Sequence, residues 1–176
     1  MRATARKRPP FMTLQRWIFL IVAALLLLLT IVFIYFLEIQ NPQRNAIEEA
    51  EKKAIEAAGL TQIEHVYHQV WDKESWIVEG TDQDDEKVFV WLVDESNPEI
   101  VKASTGISMQ EMKTSFKGEH PNTNIIRIQP GLLDNQRVWE VYYTSGDETK
   151  HYKYDFYSFD SGELINSYTL PNRTEP

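Results

Sequence analysis

The run Trp17 to Leu37 (WIFLIVAALLLLLTIVFIYFL) holds 21 residues without a charge. At 1.5 Å per residue a helix of that length covers roughly 31 Å, the hydrocarbon thickness of a bilayer. A soluble core helix would show a polar stripe, and none is present. The run is longer than the apolar region of a cleavable signal, and Glu38-Ile39-Gln40-Asn41-Pro42 has no small-x-small cleavage site. The expectation is an uncleaved transmembrane anchor at 17–37.

Charge gives the expected orientation. Arg2, Arg6, Lys7, Arg8 and Arg16 form a basic tail at 1–16 that contains no acid. All 26 acidic residues lie from Glu38 onward, against 13 Lys and Arg, leaving that part at −13. Positive charge is retained in the cytoplasm, so the C-terminal part is expected outside the cell, with Trp17 and Tyr35 at the two headgroup zones. The acidic outer part disfavours binding to nucleic acid or anionic polymers. An exported domain without cysteine relies on a hydrophobic core rather than disulfides, which fits a bacterial surface.

Asn41-Pro42 is expected to break the anchor and start a second helix, because Asn caps well and Pro suits the first helical turn. Ile47, Ala50, Ala54 and Ala58 then recur every three or four residues, and Gly59 stops the helix. Strand chemistry follows at 63–71, 75–79, 87–93 and 99–102. A second helix is expected from the capping box Ser108-Met109-Gln110-Glu111 to Lys117, with Gly118 beyond its end. Further strands are expected at 125–129, 137–144, 150–159 and 163–169, with turns at Pro130-Gly131, Ser145-Gly146-Asp147 and Asp160-Ser161-Gly162.

The two halves overlay. Trp76-Ile77-Val78 falls on Trp139-Glu140-Val141, Val93-Asp94 on Phe159-Asp160, and Glu99-Ile100-Val101 on Glu163-Leu164-Ile165, at nearly constant offset. The reading is an α+β fold of two tandem units, 38–104 and 105–171, each a helix packed on an antiparallel sheet, with 172–176 as a tail.

In the second unit, the strand Arg137-Val138-Trp139-Glu140-Val141 and the later run Tyr154 to Ile165 (YDFYSFDSGELI) resemble the PepSY pattern of a W-x-V strand and a strand ending in D-x-x-T-G-E. Here the turn is shortened to Asp160-Ser161-Gly162, with Ser for Thr. The basic tail, anchor, membrane-proximal helix and two PepSY-like (cystatin-like) units together resemble the TseB (YpmB-type) cell-wall elongation regulators of Gram-positive bacteria. The resemblance implies a non-enzymatic cell-membrane protein that associates with a penicillin-binding transpeptidase of the elongation machinery. The alternative is an extracytoplasmic PepSY-type inhibitor or ligand-binding module acting on a protease.

Residue chemistry agrees with a non-enzyme: there is no G-x-S-x-G, no S-x-x-K and no cysteine. No cofactor or metal ligand set is expected. Of the four histidines, His65, His68, His120 and His151, the first two are three apart in a strand and face opposite ways, and His151 falls on the expected solvent face of its strand. Asp82-Gln83-Asp84-Asp85-Glu86 lacks the Gly and Glu of a calcium loop, having Lys87 and Val93 in their places, and reads as a hairpin tip. On 150–159, Tyr152, Tyr154 and Phe156 are expected inward, with His151, Lys153 and Asp155 outward. Tyr143 and Tyr157 are the expected outward aromatic patch for a partner. Oligomeric state has no signature in the sequence.

Overall fold

The structure is a computed structural model and describes residues 14–94, 96–146 and 149–171. The chain divides into two compact units, residues 1–46 and 47–176. Of the basic tail only Arg16 is described; Arg2, Arg6, Lys7 and Arg8, like the tail 172–176, lie outside the described residues.

Helix α1 runs Leu14–Ala58, contributing to both units. Within it, Gln15–Phe36 is long and apolar enough to span a bilayer, with mean hydropathy 3.2 and no part buried. The expected break at Asn41-Pro42 is absent: the backbone is helical through both residues. Proline removes one helical hydrogen bond and crowds the preceding turn, at about 3 kcal/mol. Helix formers on both sides, Glu38 to Gln40 and Gln43 to Ala50, carry the helix across that single defect.

The unit 47–176 holds two antiparallel four-stranded meanders. The first comprises β1 (Gln62–Val70), β2 (Glu74–Thr81), β3 (Lys87–Val93) and β4 (Glu99–Lys102). After a 3-10 turn, α2 (Met109–Glu119) leads to β5 (Thr123–Leu133), β6 (Gln136–Ser145), β7 (His151–Ser158) and β8 (Leu164–Thr169). The duplication is visible in the irregularities as well as in the strand order. β1 shifts register between Ile63 and His65, β5 between Ile125 and Arg127, so both bulges sit at the same place in their repeats.

The central strands β2 and β3 of the first sheet are buried on both faces, which explains near-continuous apolar runs such as KVFVWLV. Val78, Val88, Val90 and Leu92 pack against Ala50 and Ala54 of α1. The opposite face supplies Ile77, Phe89 and Trp91 to a second cluster shared with Met112 and Phe116 of α2 and with Trp139, Val141, Tyr143, Tyr157 and Phe159 of the second sheet. One core therefore joins the two repeats. The capping box at Ser108 is present, with Ser108 and Glu111 each bonding the other's backbone N–H. Gly118 lies inside α2, which ends at His120 instead.

The expected turn at Pro130-Gly131 is also corrected. Both residues lie inside β5, and the chain reverses at Asp134-Asn135, whose φ values of 50° and 60° are those of a two-residue hairpin turn. β5 is an edge strand, where a missing N–H is tolerated. Gly131 leaves room for the side chain of Gln69, because a Cβ there would come within 2.4 Å of Gln69 Nε2.

Candidate functional site

The bulge in β1 turns Glu64 and His65 toward a crevice of about 320 Å³ between the repeats. Its floor is Phe89 and Trp139, and one side is the start of α2 with Ile107, Ser108 and Met109. On the opposite side Lys87 Nζ lies 2.6 Å from Glu64 and 3.3 Å from Glu79, and the Tyr67 hydroxyl donates to Glu79 Oε2 at 2.8 Å. Hydrogen bonding to Lys87 lowers the Glu64 pKa, and the reverse interaction raises that of Lys87. Burial, followed by the bond to Glu79, pushes the Tyr67 hydroxyl well above the ordinary tyrosine range.

Glu64, His65 and Glu79 each bring one ligand atom within 4.8 Å of the others. The Lys87 ammonium already occupies the space between the two carboxylates and neutralises one of them. The crevice thus offers an apolar floor and a satisfied polar wall, suited to receiving a side chain rather than to activating a nucleophile.

A second polar cluster fixes the repeats to each other. Glu140 is 2% exposed; its Oε1 accepts from Arg127 at 2.7 Å and Gln129 at 3.2 Å, and its Oε2 accepts from Gln69 at 3.1 Å. Gln69 Oε1 in turn accepts the Leu132 N–H at 2.6 Å, and Trp91 Nε1 donates to the Gly131 carbonyl at 3.1 Å. These residues escaped sequence reading. The available signal was Glu140 itself, an acid set between Trp139 and Val141 in a strand with no polar alternation.

The anticipated partner patch is not on the surface. Tyr143 is 3% and Tyr157 2% exposed, and both pack on Phe116 of α2. The physical reason is the face of the sheet that α2 covers. It carries Trp139, Val141, Tyr143, Asp155 and Tyr157, so Asp155 is buried as well, contrary to its expected outward position. The other face carries a stacked series instead. Tyr142 and Tyr154 lie 4.4 Å apart, Trp71 of the first repeat meets Tyr154 and Tyr168 at 5.3 Å, and Tyr152 is 41% exposed.

His65 and His68 do face opposite ways: His65 meets Glu79, whereas His68 stacks on Trp76 at 4.1 Å and meets Glu74. In the Asp82 turn, Asp82 Oδ1 accepts the N–H groups of Asp84 and Glu86, so that carboxylate holds the hairpin together. Trp17 and Tyr35 lie near the two ends of the apolar segment, both exposed.

Residues 49–92, from the end of α1 through most of β3, match the family model of the cell wall elongation regulator TseB-like domain. The fold is similar to that of the YpmB protein from Bacillus subtilis, with TM-score 0.60 and 22% identity, covering 70% of this chain and 96% of that one. At that identity the likeness is one of fold. No curated protein matches the chain. A TseB-like domain thus lies on the first repeat, within a fold similar to that of YpmB over 70% of this chain.

Proposed function

We propose that this chain is a non-enzymatic, single-pass membrane regulator of cell wall elongation that acts by binding a penicillin-binding transpeptidase. The regulatory role rests on the TseB-like domain at 49–92, the one observation that carries the reading. The apolar segment Gln15–Phe36 supports membrane attachment, and the five basic residues before Trp17 support an outward-facing C-terminus. Confinement in the membrane raises the effective concentration of a domain toward a partner in the same bilayer, so a modest interface suffices. We assign the two repeats to 38–104 and 105–171.

The crevice and the aromatic face favour contact with protein over chemistry on a substrate, because the polar groups of the crevice satisfy one another. Crosslinking the full-length chain in intact cells tests the partner: a penicillin-binding transpeptidase should be recovered from wild type. A secreted version lacking residues 15–36 should fail to restore the deletion phenotype. Full restoration by that soluble form would refute the anchored reading and favour the inhibitor alternative.

A further inference from the structure

We infer that the free edge of β8 pairs with β8 of a second copy of this chain, antiparallel about a two-fold axis at Ser167. Among the described residues, β8 closes its sheet with only β7 beside it. The Leu170 N–H donates to the Tyr152 carbonyl at 2.8 Å, so Leu170, and by alternation Tyr168 and Asn166, turn their backbone groups toward β7. Ser167 and Thr169 therefore turn theirs outward. The Ser167 N–H meets only a local group there, the side-chain oxygen of Asn166 at 2.8 Å.

Edges in folded proteins are normally blunted by short length, charge, proline or bulges. The other three edges of this protein follow that practice. β4 has four residues, and its terminal Glu99 and Lys102 are engaged by Arg137 and Glu86. β1 and β5 are bulged, and Gln69 and Leu132 join them across the repeat junction. β8 is different: Leu164 to Leu170 contains no charge and no proline, and Leu164, Ile165, Tyr168 and Leu170 are exposed. Its register shift with β7 falls at the Ile165 end and leaves Asn166 onward regular.

Charge selects the occupant. Exposed Glu163 stands at the start of β8, whereas Lys153 stands at the far end, directly across from Thr169. Antiparallel self-pairing turns Glu163 of each copy toward the Lys153 end of the other; a parallel neighbour would set Glu163 beside Glu163. With Ser167 opposite Ser167, Asn166 opposes Tyr168 of the other copy on the same face, and the two Ser167 residues exchange two backbone hydrogen bonds. The net negative charge of the two copies opposes this only weakly, since charges more than about 8 Å apart are screened at physiological salt.

The chain has no cysteine, so an introduced thiol reports on its own neighbour alone. Full-length Ser167→Cys, reconstituted in phosphatidylcholine vesicles at high lipid excess and mildly oxidised, should give about tenfold more covalent dimer than Ile100→Cys on the β4 edge, because opposed residues fall within disulfide reach. Adding Ile165→Lys or Thr169→Lys should reduce the dimer to the Ile100→Cys level while leaving the unfolding midpoint unchanged. Equal yields from Ser167→Cys and Ile100→Cys, or undiminished dimer from both lysine variants, would overturn the inference.

Discussion

Replacing Gln69 by Leu tests whether the repeats are held by the buried amide rather than by apolar contact alone. The change removes both polar ends, Oε1 and Nε2, and leaves a branched apolar side chain one atom shorter. The Leu132 N–H then loses its acceptor at 2.6 Å in a residue only 5% exposed, an orphan costing about 1–3 kcal/mol. Glu140 Oε2 loses its donor at 3.1 Å, and hydrogen bonds to a charged group contribute about 1.5–3 kcal/mol. The apolar transfer of Leu offsets part of this, leaving a net loss of about 2–5 kcal/mol. For a folded unit spanning residues 47–176 that is a fall in Tm of roughly 6–20 °C. The assay is thermal unfolding of the full-length protein in detergent, followed by tryptophan fluorescence and near-UV circular dichroism. Because one core includes residues of both sheets, both probes should move together in a single transition. A loss below about 1 kcal/mol, or two separated transitions in the wild type, would refute the reasoning.

Tyr143→Ser and Tyr157→Ser should each destabilise by about 3–5 kcal/mol in the same assay, as large buried side chains do when truncated. Tyr157→Phe should be neutral or slightly stabilising, within about 1 kcal/mol, because the buried Tyr157 hydroxyl has no hydrogen-bond partner among the described residues. Gly131→Ala should lower stability by about 1–3 kcal/mol through collision with the Gln69 amide, measured by urea unfolding. Burial raises Tyr67, Tyr143 and Tyr157 above the ordinary pKa of 10.0. Unfolded tyrosines ionise near that value while these three stay neutral in the fold, so stability is full below pH 10 and falls as pH rises above it. A native titration at 295 nm should show these three of the eight tyrosines ionising only as the protein unfolds.

Much of the architecture was legible because it rests on local rules. The capping box at Ser108, the stop at Gly59 and the alanine spacing of 50, 54 and 58 each depend on neighbours a few residues away. Strand order followed from the hairpin turns, and the duplication followed from constant offsets, later matched by the two bulges. Local rules failed at Pro42 and Pro130. Both prolines read as breaks, yet one lies within a long helix and the other on an edge strand, where a missing N–H has no partner to lose.

The sequence by itself determined that this chain carries one bilayer-length apolar segment and two helix-then-meander repeats, because hydropathy and periodicity are additive along the chain. The tertiary structure alone decided which face of each strand is inside. In β6 both faces are largely apolar or aromatic, and in β7 the alternation points Asp155 outward although α2 covers that face. α2 chose Tyr143 and Tyr157 for the core, and Trp71 of the other repeat came to rest on the opposite face. The Gln69–Glu140 junction belongs to that second class as well. Its members are 71 residues apart, and a buried amide finds a buried carboxylate only when two sheets have already been brought together.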